Sequence, residues 1–179
     1  MPRSARMVEP GIPYHITHRG YKKKEIFIDQ KDVMFYKKLI ERHFISAKTE
    51  LLAYCIMNNH VHLIVVPGYQ WSLAKSVGFV HRDYAVYWNQ RYVDQAPVWQ
   101  GRYYSEPLSE VHLLLAMRYV EQNPLRAGLV EFAEQWPWSS ARVHLGIAPD
   151  PLVNTDFLGS LVDDWESALR ENVPEGGWR

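Results

Sequence analysis

The stretch Leu51-Leu-Ala-Tyr-Cys-Ile-Met-Asn-Asn-His-Val-His-Leu-Ile-Val-Val66 contains two apolar runs joined by Asn58-Asn59. Each run has the length and residue types of a β-strand, and an Asn-Asn pair is typical of a tight turn. The stretch therefore predicts an antiparallel hairpin with strands at Leu51–Met57 and His60–Val66. Because Leu63–Val66 is apolar at every position, we expect both faces of the sheet to be covered there.

Further elements extend from this hairpin in both directions. Before it, the pattern predicts a strand at Tyr14–Arg19 and a helix from Asp32 to Phe44. After it come a helical pattern over Leu73–Trp88, an extended segment over Pro97–Pro107, and a helix from Ser109 to Glu121. The order strand, helix, strand, strand, helix, strand predicts an α+β fold, the ferredoxin-like split βαβ antiparallel sheet with helices.

Length and composition indicate one domain with a core of its own, because 47% of the 179 residues are hydrophobic and 22% are charged. We expect a main domain over residues 1–147 and an acidic, helical C-terminal appendage over residues 148–179. No apolar run reaches the ~20 residues that span a bilayer, and the N-terminus lacks a signal-peptide pattern. The single cysteine, Cys55, excludes a disulfide framework. These features predict a cytoplasmic protein without a membrane partner.

Charge is distributed unevenly although it sums to zero. Residues 1–50 carry 11 Lys and Arg against 6 Asp and Glu, whereas residues 130–179 carry 3 against 9. The basic front end hints at an anionic partner, and the alternative is two solvated surfaces of opposite sign. Basic groups neutralise phosphates and aromatic rings stack on unpaired bases, so the basic residues near aromatic ones are candidate nucleic-acid contacts. They are Arg19, Lys22, Lys23, Lys24 and Arg102. The acidic tail suggests the further hypothesis that it covers this basic surface.

His60 and His62 are separated by one residue on a predicted strand, so their imidazoles point to the same face of the sheet. Two adjacent imidazoles can share one metal ion and leave room for oxygen ligands and substrate. The alternative is an ordinary pair of histidines on a half-exposed strand, with water or backbone as hydrogen-bond partners.

Tyr119, Gln122 and Asn123 share one face of the predicted third helix. A phenol beside carboxamide groups combines a nucleophile with an oxygen ligand. In the alternative interpretation Tyr119 is a core aromatic, and Asn123 only caps a short helical turn that begins at Pro124.

Five segments occur in one order along the chain: Tyr14-His-Ile-Thr-His-Arg-Gly20, Met57-Asn-Asn-His-Val-His-Leu-Ile64, Trp99-Gln-Gly-Arg-Tyr103, Arg118-Tyr-Val-Glu-Gln-Asn-Pro-Leu-Arg-Ala-Gly128 and Trp136-Pro-Trp-Ser-Ser-Ala141. Together they resemble the Y1 transposases of the HUH superfamily. The resemblance is strongest to the REP-associated tyrosine transposases, which are relatives of the IS200/IS605 enzymes, and it covers residues 10–145.

This resemblance implies a DNA endonuclease and strand transferase that acts on single-stranded DNA with REP-like hairpins. It implies that Tyr119 cleaves DNA and becomes attached through a 5′-phosphotyrosine, and that His60 and His62 hold Mg²⁺ or Mn²⁺. The family's third ligand follows the tyrosine by one helical turn, which points to Asn123, with Gln122 as the rival. The absence of soft ligands fits Mg²⁺ or Mn²⁺ better than a structural zinc.

Two other functions stay open. The chain could be a non-catalytic module of the same fold that only binds structured nucleic acid, or a hydrolase that uses metal-bound water without a covalent intermediate. The oligomeric state, monomer or homodimer, also stays open. The insertion-sequence relatives build shared active sites in a dimer, and the C-terminal segment is a candidate for occupying the surface of such a dimer.

Overall fold

The structure is a computed structural model of the chain, and it describes residues 8–93, 96–159, 162 and 164–171. Along the chain the elements are β1 (Tyr14–Arg19), α1 (Gln30–Ala47), β2 (Thr49–Met57), β3 (His60–Pro67), α2 (Ser72–Lys75), α3 (Val77–Tyr92), β4 (Tyr104–Pro107), α4 (Glu110–Glu121), α5 (Asn123–Arg126), α6 (Ala141–His144), α7 (Asp156–Gly159) and α8 (Trp165–Arg170). The four strands form one antiparallel sheet in the order β2-β3-β1-β4. The predicted α+β, ferredoxin-like class is therefore confirmed.

The predicted hairpin forms one side of this sheet, with β2 at the edge and β3 inside. Met57 pairs with His60 across the Asn58-Asn59 turn, and β3 continues outward between β2 and β1. The ladder of β2 contains an irregularity between Leu51 and Ala53, where the register shifts by one residue. An extra residue in one strand changes which face the following side chains occupy, and it also strengthens the local twist.

Two hydrophobic cores lie on opposite faces of the sheet. Ile16 and Leu63 point toward α1 and α3 in the first core, whereas Ile64 packs with Met117 of α4 in the second. Neighbouring residues of one strand point to opposite faces, so an uninterrupted apolar run serves both cores at once. The expectation drawn from Leu63–Val66, that both faces are covered, is thus confirmed.

The helix predicted over Leu73–Trp88 is divided into α2 and α3 at Ser76. The Ser76 hydroxyl donates to the carbonyl of Ser72 at 2.7 Å and accepts a hydrogen bond from Thr49. A serine side chain that bonds back to the preceding turn competes with regular helix geometry. This buried contact was not visible in the apolar spacing on which the single-helix prediction rested.

The outer edge of β2 is covered by the C-terminal part of the chain. The Ile56 amide donates to the carbonyl of Trp138 at 2.8 Å, and the Asn154 amide donates to the carbonyl of Leu51 at 2.8 Å. An uncovered edge strand offers unpaired backbone groups to other chains. Here the Ile56 amide and the Leu51 carbonyl are paired within the same chain, so the C-terminal region covers part of this edge.

Helices α7 and α8 belong to the region predicted as an appendage over residues 148–179. Their side chains Leu158, Trp165 and Leu169 are buried in the second core beside α4. A domain boundary at residue 147 stays a prediction, and residues 172–179 lie outside the described part. Within the described residues no helix is both long and apolar enough to cross a membrane.

Gly20, directly after β1, makes a close approach that allows no side chain. A Cβ atom there would lie 2.2 Å from the carbonyl oxygen of Lys24, whereas a Cβ at Gly78 of α3 would meet no atom within 4 Å. We predict that Gly20→Ala lowers the free energy of unfolding by about 1–3 kcal/mol. Gly78→Ala should raise it by about 1 kcal/mol, because alanine favours a helix interior. Urea unfolding measures both, and a Gly20→Ala variant as stable as the parent would contradict the first.

Candidate functional site

A cleft of about 600 Å³ opens between the sheet and the end of α4. Strands β1 and β3 contribute one set of lining side chains, which are His15, Thr17, Arg19, His60 and His62, and β4 contributes Tyr104. Alternate residues of a strand share a face, so the three residues from β1 and the two from β3 all point to the α4 side. The register places Thr17 opposite His62 and Arg19 opposite His60.

The two histidines singled out in the sequence lie side by side, with ring centroids 5.0 Å apart. The Nδ1 atom of His62 is 2.9 Å from Nε2 of His15, and the two rings stack. His60 Nδ1 donates to the side-chain oxygen of Asn59 at 2.6 Å. A hydrogen bond to one ring nitrogen fixes the orientation of an imidazole and determines which nitrogen can act as a ligand. Both Nδ1 atoms are thus engaged by neighbours.

Tyr119 lies on the last turn of α4 and faces these histidines. Its ring is 5.7 Å from that of His62 and 6.4 Å from that of His15, both edge to face. The guanidinium of Arg126, on α5, lies 5.1 Å from the centroid of the Tyr119 ring. Tyr119 is half-buried and also packs against the second core. Tyr119 therefore has one side in the hydrophobic core and the other side in the cleft, so each of the two interpretations from the sequence describes part of its surroundings.

The structure separates the two carboxamides that the sequence left as rivals. Asn123 lines the cleft, and its side chain hydrogen bonds to His60. Its Nδ2 atom also donates to the carbonyl of Tyr119 at 3.3 Å. Gln122 is buried elsewhere and donates to the carbonyls of Leu169 and Glu171, at 2.8 and 2.6 Å. Only Asn123 of the two shares the cleft with the histidines.

The cleft carries positive charge. Arg19 and Arg126 line it together with the histidines, and no carboxylate stands among its described lining residues. No group of three or more His, Cys, Asp or Glu side chains within the described ranges is arranged to hold a metal ion. A metal at His60 and His62 would therefore need a ligand of another kind, such as an amide oxygen, water or a phosphate oxygen. An anionic substrate suits this lining.

The predicted basic contacts do not all meet at one place. Arg19 lines the cleft, and the exposed Lys22 and Lys23 form a 3-10 turn beside it, where the Asn59 side chain donates to the Lys23 carbonyl. Lys24 instead lies over the ring of Trp88, 3.8 Å from its centroid.

Arg102 is separate from this cluster. It lines a second groove of about 880 Å³ with His18 and Trp99. His18 and Arg19 are consecutive on β1 and point to opposite faces, so this groove lies on the other side of the sheet from the cleft. Arg102 therefore faces a different surface from Arg19.

Among the polar side chains of the cleft, sequence reasoning missed His15, Thr17 and Arg126. The period of a strand could have revealed His15 and Thr17, because they alternate with Arg19 on the predicted first strand. For Arg126 we find no signal of comparable strength. It reaches the Tyr119 ring because α5 follows α4 with a change of direction at Gln122 and Asn123, which depends on tertiary packing.

Comparison with known proteins assigns the chain to a family. Residues 10–123 match the model of the family described as "Transposase IS200 like". Because the match covers more than half of the chain, the protein belongs to the IS200-like transposases, a class of DNA-binding proteins of DNA transposition.

Solved structures give a similar result for the fold. One is a REP-associated tyrosine transposase bound to a REP hairpin, with 14% identity, a TM-score of 0.64, and coverage of 86% of this chain and 98% of that one. Another is a Deinococcus radiodurans R1 protein classed as a transposase, with 17% identity, a TM-score of 0.47, and coverage of 67% and 96%. No curated protein sequence matches.

The environment of His60 generates a prediction about acid stability. Burial lowers the pKa of His60 below its ordinary 6.5, the hydrogen bond to Asn123 raises it, and the charge of Arg19 lowers it. As the pH falls below 6.5 the unfolded chain therefore binds the proton first, and the free energy of unfolding decreases. One histidine contributes at most about 1.4 kcal/mol per pH unit.

Urea unfolding between pH 8 and pH 5 measures this contribution. The wild-type chain should lose stability below pH 6.5, and His60→Asn should show a smaller slope. Equal slopes for the two chains would contradict the prediction.

Proposed function

We propose that this transposase cleaves single-stranded DNA at REP-like hairpins and rejoins strands through a 5′-phosphotyrosine on Tyr119. The observation that carries the proposal is the convergence of the Tyr119 phenol, the His60 and His62 imidazoles and the Asn123 amide in one positively charged cleft. The similarity to a transposase solved with a REP hairpin supports the kind of DNA.

The residues of the cleft fit a divalent cation. With Nδ1 engaged, His60 and His62 would bind it through Nε2, the usual pattern for a metal-bound imidazole with a hydrogen-bonded partner. The Nδ2 atom of Asn123 donates to the carbonyl of Tyr119, so the amide oxygen is the atom that would serve as the third ligand. The set contains no thiolate, and its amide oxygen together with water is the kind of ligand that Mn²⁺ and Mg²⁺ prefer. When bound, the ion supplies charge that neutralises phosphate oxygens and orients the phosphodiester.

Tyr119 provides the covalent step. Its phenol oxygen attacks phosphorus, an O–P bond forms, and the bond from phosphorus to the 3′ oxygen breaks. The phenol loses its proton to solvent as it attacks, and the departing 3′ oxygen takes one up. Arg126 adds positive charge beside the ring as negative charge develops on the phenol oxygen. The tyrosyl phosphodiester keeps the bond energy, so a 3′-OH can reverse the step without ATP.

The basic residues around the cleft would hold the DNA backbone. Arg19 is in position for a phosphate near the reacting centre, and Lys22 and Lys23 extend the positive surface beyond the turn at Asn59. We assign these three to the strand that enters the cleft. Lys24 and Arg102, also predicted as DNA contacts, would touch DNA only at a second surface.

Tyr119→Phe tests the covalent mechanism. The protein is incubated with hairpin oligonucleotides from repeats that flank its own gene, with Mn²⁺, Mg²⁺ or EDTA, and resolved on a denaturing protein gel. We expect a metal-dependent, protease-sensitive shifted band for the wild-type chain and none for Tyr119→Phe, because phenylalanine lacks the attacking oxygen. Hairpin binding should persist in the variant.

Other outcomes would favour the other functions. DNA cleavage without any protein-linked DNA, retained in Tyr119→Phe, would indicate hydrolysis by a metal-bound water. Hairpin binding with neither cleavage nor adduct would indicate a non-catalytic binding module.

Asn123→Ala tests the third ligand. Loss of the amide oxygen should weaken Mn²⁺ binding about 10-fold or more, as loss of a metal-site partner typically does. Gln122→Ala should leave the Mn²⁺ affinity within a few-fold, because its amide bonds to carbonyls of the C-terminal region. Mn²⁺ titration followed by electron paramagnetic resonance measures both. A larger loss in Gln122→Ala than in Asn123→Ala would reverse the assignment.

A further inference from the structure

Glu121 is a buried carboxylate two residues after Tyr119, and the proposed reaction does not use it. Its side chain is fully buried at the C-terminal end of α4. Three donors from later parts of the chain converge on it. Ser140 Oγ and His144 Nδ1 both bond to its Oε1 atom, and Trp165 Nε1 donates to Oε2 at 2.9 Å. Ser140, α6 and α8 are thereby joined to the end of α4 through one side chain.

A second set of contacts ties the same helix end to α8. The Gln122 amide donates to the carbonyls of Leu169 and Glu171. Arg118 donates to the Glu171 carbonyl at 3.0 Å and forms an ion pair with its carboxylate. The last carbonyls of a helix lack partners within that helix, so these donors satisfy groups at the end of α8.

These contacts alternate along the chain with the residues of the cleft. Tyr119 and Asn123 are four residues apart and face the cleft, whereas Glu121 and Gln122 between them face the C-terminal region. The last turn of a helix normally frays, because its hydrogen bonds are incomplete. Here that turn carries Tyr119 and is held from its other side.

We infer that Glu121 is a positioning residue, through which α8 holds the last turn of α4 so that Tyr119 stays in line for attack. The inference rests on the proposed function and concerns its regulation by the C-terminal region. Burying a carboxylate costs free energy unless hydrogen bonds compensate for the lost water. An apolar side chain could fill the same space in the core without that cost, so packing alone does not explain a glutamate here. Unlike an apolar side chain, the Glu121 carboxylate also fixes the orientation of the end of α4, because its three hydrogen-bond donors are satisfied in only one orientation.

This role differs from the hypothesis that the acidic tail covers the basic surface. In that hypothesis the C-terminal region only blocks DNA binding, and deletion of this region would raise the affinity for DNA. In the present inference α8 supports the chemical step. Loss of its contact with Glu121 slows the reaction at unchanged DNA affinity.

Trp165→Phe tests the inference with little change in packing, because it keeps an aromatic ring and removes the Nε1 donor. Trp136→Phe is the matched control. Its Nε1 atom donates to the Ile56 carbonyl at 3.0 Å, in the same core but on β2 instead of α4. Each variant therefore loses one indole hydrogen bond, and only the first loses it at the helix of Tyr119.

Three quantities are measured in the full chain with Mn²⁺: the single-turnover rate of adduct formation at saturating hairpin DNA, the Kd of that DNA, and amide hydrogen exchange at residues 118–123. For Trp165→Phe we expect adduct formation slowed about 10-fold or more, since displacements near 1 Å cost up to about 100-fold. The Kd should stay within twofold, and exchange at 118–123 should be faster. Trp136→Phe should match the wild-type chain in all three.

Gln122→Met serves as a second variant, because it removes the Gln122 hydrogen bonds to the end of α8 and leaves the Glu121 cluster intact. Wild-type rates in both Trp165→Phe and Gln122→Met would overturn the inference, as would equal slowing in Trp165→Phe and Trp136→Phe. If the wild-type chain forms no adduct, the proposed function fails and exchange alone decides the inference. Faster exchange at 118–123 only in the α8 variants would then support it, and unchanged exchange would overturn it.

Discussion

Side chains alternate between the two faces of β1 and β3, and both faces of this sheet are covered by helices. This constraint determines where every polar group of the inner strands can lie. Ile16 and Leu63 must enter one core, so Thr17 and His62 must face the other side, under the end of α4. A one-residue slip would turn His62 toward the first core and Leu63 toward the cleft, which specifies the register strongly. The cleft is thus a consequence of the pattern that makes the sheet.

The second requirement is a helix end that brings Tyr119, the proposed nucleophile, over these strands. α4 packs its apolar face on the second core, its last turn presents Tyr119 to the cleft, and Asn123 at the start of α5 joins it there. The same turn directs Glu121 and Gln122 toward α6 and α8. One short segment therefore belongs both to the site and to the contacts that hold the C-terminal region. Changes in α8 can reach the reacting centre through this segment without touching DNA.

The third feature of the cleft is the charge of the side chains that line it. Arg19 and Arg126 lie among its lining residues, and burial keeps the pKa of His60 low, so its imidazole is neutral near pH 7. Neutral imidazoles can bind a cation, while the arginines attract a phosphate. Both partners of the proposed reaction, a divalent ion and a DNA strand, are accommodated by the same small group of side chains. The net charge of the whole chain is zero and therefore does not reveal the positive charge of the cleft.

The sequence by itself was sufficient to predict the sheet, the order of the elements and the placement of His60 and His62 on one face of a strand. These features depend on periodicity and turn residues that are local along the chain. It also brought Tyr119 and Asn123 to one helix face. Only the tertiary structure separated Asn123 from Gln122, added His15 and Arg126 to the cleft, and placed Arg102 on another surface. Those outcomes depend on which elements pack together, so residues distant in the chain decide them. The break at Ser76 and the cluster at Glu121 have the same origin, since each is held by hydrogen bonds to side chains far along the sequence.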